Sequence, residues 1–128
     1  MAQHNEQGRN GEDAARNWLV ENGYRILEYN WKFHHLELDL IASKGEDLVI
    51  VEVKTRKEDF LLAPEETISK KKIKNIIAAA EAYVIYNNVD LDVRFDIISV
   101  IEHTDAYEIE HIEDAFFAPL SSKGGRRR

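Results

Sequence analysis

Cysteine is absent from this 128-residue chain. Disulfides and thiolate metal sites are thereby excluded, and a reducing compartment is permitted. Long apolar runs are missing too, and no segment approaches the roughly 20 apolar residues of a membrane span. The first 25 residues are polar and carry no stretch of signal-peptide type. Cations are in short supply: 17 Lys and Arg stand against 24 Asp and Glu, a net charge of −7, which argues against a general nucleic-acid coat protein. Together these absences lead to the expectation of a soluble, cytoplasmic protein with no membrane partner.

The acidity is uneven. Residues 1–74 carry 12 Lys/Arg and 14 Asp/Glu, whereas residues 75–128 carry 5 and 10. The near-neutral part holds a dense basic run, Lys70, Lys71, Lys72 and Lys74. Local patches, more than pI, decide phosphate binding, so nucleic acid stays open as a partner. With 44% hydrophobic residues the chain can build a core of its own. Residues 1–120 read as a single domain and 121–128 as a disordered basic tail.

What is present, and unusual, is charge inside two neighbouring apolar segments. Leu36-Glu37-Leu38-Asp39-Leu40-Ile41-Ala42 is followed, across Ser43-Lys44-Gly45-Glu46-Asp47, by Leu48-Val49-Ile50-Val51-Glu52-Val53-Lys54. Both have strand length and composition, and the polar link with Gly45 reads as a hairpin turn. Placing Ser43 opposite Leu48 puts Asp39 opposite Glu52, Glu37 opposite Lys54 and Ile41 opposite Ile50. The other face is then apolar: Leu38, Leu40, Ala42, Val49, Val51 and Val53. Like charges so opposed repel, which suits a cation between Asp39 and Glu52. Lys54 shares their face because strand side chains alternate. Two carboxylates and a lysine on one sheet face form a constellation for metal-dependent phosphodiester cleavage. A structural salt-bridge cluster is the plainer alternative, and spacing alone does not choose between them.

Around these strands, residues 11–22 read as a helix with Ala15, Trp18 and Leu19 as its stripe and Gly23 as its stop. Gly8 and Gly11 near that stripe allow close approach to a sheet. Glu12 falls at the edge of the buried face. Residues 24–30 read as a first strand, and residues 56–68, after the site strands, as irregular, punctuated by Pro64. Ser69 reads as the N-cap of a helix to about Tyr86, with Ile73, Ile76, Ile77, Ala80 and Val84 as its apolar face. Strands follow over 93–101 and 107–112. The order α-β-β-β-α-β-β predicts an α/β fold, a mixed sheet flanked by helices.

Asp39, Glu52-Val53-Lys54 and the leading Gly11-Glu12-Asp13-Ala14-Ala15 helix resemble the PD-(D/E)xK, or restriction-endonuclease-like, superfamily. Within it the chain is similar to the YraN-type family of uncharacterised small bacterial proteins. Leu36-Glu37-Leu38-Asp39-Leu40-Ile41, Val51-Glu52-Val53-Lys54-Thr55-Arg56 and Ser69-Lys70-Lys71-Lys72 carry that likeness, with Leu36 standing where the family pattern has Gly. Archaeal Holliday junction resolvases are similar in the same strands and helix. The resemblance implies a restriction-endonuclease-like sheet and a nuclease acting on structured or branched DNA. It implies Mg²⁺ (or Mn²⁺) held by Asp39, Glu52 and the Val53 carbonyl, with Lys54 catalytic and Glu12 assisting. Arg56, Lys57, Lys70, Lys71 and Lys72 would contact phosphates, and a homodimer would span two strands of substrate. A non-catalytic nucleic-acid or protein binding module of the same fold is the alternative.

Several other polar residues have duller readings. Glu37 pairs with Lys54 or Arg56, Arg94 and Asp96 form a structural pair, and His34 and His35 sit in a link without further ligands in view.

Overall fold

The computed structural model describes residues 3–57 and 68–118, with side chains from residue 11 onward. The expected basic tail and the link around Pro64 lie outside the described residues. Helix α1 spans Gln3–Glu21, followed by strands β1 (Arg25–Phe33), β2 (Leu36–Lys44) and β3 (Asp47–Lys57). Helix α2 (Lys70–Tyr86) then leads to β4 (Asp92–Glu102) and β5 (Tyr107–Phe116). This is the expected order.

Local chemistry sets the helix ends. Gly23 adopts φ +88°, a left-handed conformation that costs glycine little. It lets the Tyr24 N–H donate to the Leu19 carbonyl at 2.9 Å, closing α1 with a Schellman-type turn. At the start of α2, the Ser69 hydroxyl accepts the Lys72 N–H at 3.1 Å, the expected N-cap.

The five strands lie in sequence order, β1-β2-β3-β4-β5. Neighbours are antiparallel except β3 and β4, which run parallel. A parallel pair needs a long crossover, and α2 supplies it. Alternation along β3 serves both sheet faces. Val49 and Val51 pack with Leu40, Ala42, Ile98 and Val100 against Ala15 and Leu19 of α1. Leu48 and Ile50 pack with Ile41 and Phe95 against Ile76, Ala79, Ala80 and Tyr83 of α2. The two helices thus cover opposite faces.

One expectation is corrected. Leu38 does not share a face with Leu40 and Ala42, because it packs in the α2 cluster while they pack in the α1 cluster. Strand β2 therefore turns over at Asp39.

The Arg94–Asp96 pair is structural, as expected, and larger than the sequence suggests. Asp96 is fully buried. It accepts from Arg94 Nε at 2.9 Å and Nη2 at 2.7 Å, from His111 Nε2 at 2.7 Å and from the Asp114 N–H at 3.1 Å. Burial pushes its carboxyl up, but the hydrogen bonds from His111 and Arg94 outweigh that and hold it below the usual carboxylate range. Trp18 Nε1 of α1 donates to His111 Nδ1 at 3.1 Å, which assigns the His111 proton to Nε2. The network ties α1 to β4 and β5.

Candidate active site

The site begins where two paired strands part. β2 and β3 pair from Lys44↔Asp47 to Leu40↔Val51 in the expected register. At the next position the Asp39 carboxylate replaces the backbone, and its Oδ2 accepts the Val53 N–H at 2.9 Å. From there β3 follows β4 as far as Lys57↔Glu102, while β2 follows β1 as far as Leu36↔Phe33. The result is a fork with Asp39 at its vertex. N–H and C=O of one strand residue point to the same edge. The Val53 carbonyl therefore faces the fork too.

The turnover at Asp39 is matched across the ladder. Tyr29 of β1 lies under the Arg16 guanidinium of α1, 4.8 Å from its ring centroid. Trp31, two residues on, meets Tyr83 of α2 edge-on at 5.2 Å. Regular alternation would put both on one face. Flanking pairs Tyr29↔Leu40 and Trp31↔Leu38 place Asn30 opposite Asp39. Both strands change face at this one rung, so Asp39 is reachable from both helix layers.

From the α2 side comes Glu52, its side chain only 5% exposed. Its Oε2 lies 3.9 Å from Lys54 Nζ and 3.6 Å from Lys72 Nζ. Glu52 also shares a hydrogen bond with Asp39. Burial first, then the Asp39 charge, push its carboxyl up to about 7 against the opposing pull of Lys72 and Lys54. From the α1 side comes Glu12. Gly11 packs so close to β3 that a Cβ there would run into the Thr55 hydroxyl, which brings its neighbour Glu12 to the fork. Burial and the Asp39 carboxylate raise the Glu12 pKa, while a hydrogen bond from the Asn30 side chain opposes them.

The Glu52 shift fixes a pH dependence. The folded, metal-free chain holds a proton between about pH 4.5 and 7 that the unfolded chain has released. This group's contribution to stability is full below pH 4.5 and falls as pH rises through about 7, by at most about 3 kcal/mol. In EDTA, Glu52→Gln should therefore match the wild type in urea unfolding near pH 4.5 and exceed it at pH 8. Parallel pH profiles for the two proteins would show that Glu52 carries no such strain.

The donor set suits a hard cation. Asp39, Glu52 and the Val53 carbonyl offer oxygen only, and Mg²⁺ commonly takes one or two carboxylates and keeps several waters. Among the described residues no group of three or more His, Cys, Asp or Glu could hold a metal by side chains alone, and a water-rich Mg²⁺ site needs none.

A sequence model of "Uncharacterised protein family UPF0102" matches residues 11–100. The chain belongs to this family. A UPF0102 protein of Parabacteroides distasonis is 56% identical over 119 residues, covering 93% of this chain and 98% of the relative. One from Bacteroides thetaiotaomicron is 48% identical over 120 residues, covering 94% and 99%. Another, from Porphyromonas gingivalis, is 47% identical over 129 residues, covering 99% and 94%. UPF0102 is the YraN-type family that the motifs resemble. The matched span takes in Glu12, Asn30, Asp39, Glu52, Lys54 and Lys72, and leaves out β5 with His111.

Within this UPF0102 chain, the sequence-derived residues divide into two groups. Glu12, Asp39, Glu52, Val53, Lys54 and Lys72 converge on the fork. Lys70 and Lys71 are exposed beside it at the start of α2, and Lys57 is exposed at the end of β3. Arg56 turns elsewhere, to Ser99 Oγ at 3.0 Å and Glu110 Oε1 at 3.1 Å. Glu37 stands opposite Lys32 of β1, not Lys54. Leu36 half-buries its side chain against the α2 cluster. His34 and His35 are exposed in the β1–β2 turn. Sequence reasoning missed Asn30, whose one signal was an Asn within a strand. No helix of the described residues is long and apolar enough to cross a membrane.

Proposed function

We propose that this protein hydrolyses phosphodiester bonds in structured or branched DNA with the help of Mg²⁺ or Mn²⁺. The observation that carries the reading is the pairing of buried Glu52 with half-buried Asp39 at the strand fork, with the Lys54 and Lys72 ammonium groups on a single Glu52 oxygen. Such a carboxylate pair gains most from a cation that replaces its shared proton. The PD-(D/E)xK resemblance supports the same chemistry.

When bound, Mg²⁺ supplies charge neutralisation at the scissile phosphate and acidifies an attacking water. Asp39, Glu52 and the Val53 carbonyl would hold the ion. Lys54 neutralises charge that develops on the phosphoryl oxygens, and Glu12, across the fork from Glu52, orients water. Lys72 and the first N–H groups of α2 receive a neighbouring phosphate. Recognition is of backbone shape, and a homodimer would place two such forks on two strands of one junction.

The lysines opening α2 give a direct check on DNA contact. Replacing Lys70, Lys71 and Lys72 together by Gln should weaken binding to all DNA sequences alike and flatten the salt dependence by up to about three charges' worth of slope. Unchanged affinity and slope would assign these lysines to solvent.

One observation favours the non-catalytic binding module: Glu52 already has two lysine partners. The test is a cleavage panel of duplex, single-stranded, flap and four-way-junction DNA with Mg²⁺ or Mn²⁺, run with wild type and Asp39→Ala. Cleavage by wild type alone supports the nuclease. Equal trace cleavage by both proteins is contamination, and the binding module then stands.

A further inference from the structure

Beside the fork, on the α1 face of the sheet, stands an aromatic ring that folding leaves uncovered. Tyr29 of β1 pairs with Leu40, the residue after Asp39, and so stands one rung from the vertex of the fork. The Arg16 guanidinium lies over its ring, 4.8 Å from the centroid. Arg16 is itself held, because its Nη2 donates to Asp13 Oδ1 at 2.7 Å. Tyr29 is nevertheless 60% exposed. With one ring face under the guanidinium, that exposure belongs to the other face, so the ring is braced on one side and open on the other. Arg16 follows Glu12 by four residues, which puts both on one side of α1, a turn (about 5.4 Å) apart. Outwards from the fork along α1 there is thus Glu12, and then Arg16 with Tyr29.

We infer that Tyr29, backed by Arg16, is a stacking platform for an unpaired nucleobase of DNA bound at the strand fork. The inference deepens the proposed function and rests on it for DNA as the ligand. Every base has a π-face that an aromatic side chain can take, whatever the sequence. A base inside a continuous duplex is already stacked on its neighbours and must be extruded to reach such a ring. The platform therefore selects DNA with free bases beside the branch, such as a flap or a single strand, over blunt duplex. The cation–π contact with Arg16 fixes the ring before a base arrives, and a preorganised side chain loses less freedom on binding.

The experiment measures binding in EDTA, and again with Ca²⁺ in place of Mg²⁺, for wild type, Tyr29→Ala, Tyr29→Ile and Tyr29→Trp. The probes are a single strand and a flapped duplex, each with one 2-aminopurine (in the flap, beside the branch), and a blunt duplex. Wild type should quench the 2-aminopurine emission of the flap. Tyr29→Ala should lose that quench and bind the single strand and the flap about 10-fold more weakly, with blunt-duplex affinity within about two-fold of wild type. Tyr29→Trp, which keeps a π-face, should retain both the quench and the affinity. Tyr29→Ile keeps a β-branched apolar side chain suited to a strand and has no π-face. It should repeat the losses of Tyr29→Ala even if the alanine variant melts early. Wild-type flap binding and quench in Tyr29→Ile, or equal losses on all three DNAs, overturns the inference and leaves the proposed function standing. A wild type that binds no DNA under either condition overturns the DNA reading and this inference together. Selective binding by a wild type that cuts none of these DNAs with Mn²⁺ removes the nuclease reading and leaves the platform in place.

Discussion

Lys54→Ala should lower DNA cleavage by about 10²- to 10³-fold while Mn²⁺ affinity stays within a few-fold of wild type. Lys54 Nζ lies 3.9 Å from Glu52 Oε2, and the side chain is 35% exposed. It stands beside the proposed ligands, and an ammonium group has no lone pair with which to join them. Its proposed part is to offset charge that appears on the phosphoryl oxygens, and deleting one such preorganised group typically costs roughly 3–4 kcal/mol in the barrier. Asp39→Ala should lose cleavage and metal binding together, because Asp39 is a proposed ligand and also accepts the Val53 N–H that shapes the fork. Single-turnover rates at saturating metal separate the two effects. Undiminished cutting by Lys54→Ala, or a parallel loss of metal affinity, would remove Lys54 from the role assigned to it.

Asp96→Ala should destabilise the fold by about 3–5 kcal/mol, the range for leaving a buried charge without its partner. Asp96 accepts four hydrogen bonds, two of them from Arg94, whose side chain is 13% exposed. Arg94 also approaches Asp47 Oδ2 at 3.7 Å, which points to the lower end of that range. The folded pKa of Asp96 lies below its unfolded value of 3.8. Its contribution is therefore full above that value and is lost as pH falls through the folded pKa. Urea unfolding at pH 7 measures the loss, and a change below 1 kcal/mol would show that α1, β4 and β5 do not depend on this network. The same variant should leave Glu52 chemistry alone, since the two carboxylates lie on opposite faces of the sheet.

The strands and their register are legible in the sequence because charge violates an otherwise apolar pattern. Asp39, Glu52 and Lys54 stand out against Leu, Ile and Val neighbours, and the turn at Gly45 leaves one pairing that buries both apolar sets. The N-cap at Ser69 and the stop at Gly23 are equally local signals. The turnover of β2 was not legible: Leu38 and Leu40 share a parity, and the left-handed backbone that accompanies the change of face lies at Asn30, on the neighbouring strand. His111 was invisible for a related reason. Its importance comes from Trp18 and Asp96, distant in sequence, and from a bulge at Asp114, φ +52°, that turns a backbone N–H onto Asp96. Arg56 illustrates the converse. Its position after Lys54 suggested phosphate, but β3 continues beside β4, and Ser99 and Glu110 lie within its reach.

The central claim is that a divalent cation replaces the proton between Asp39 and Glu52, and calorimetry tests it most directly. Ligands must shed protons to bind metal, and Glu52 keeps its proton up to about pH 7. Mn²⁺ titrated into the wild-type protein at pH 6, in two buffers of different ionisation enthalpy, should release close to one proton per ion bound. Affinity should rise with pH up to about 7, and both signals should vanish in Glu52→Gln. Binding without proton release, or identical titrations for wild type and Glu52→Gln, would contradict the account.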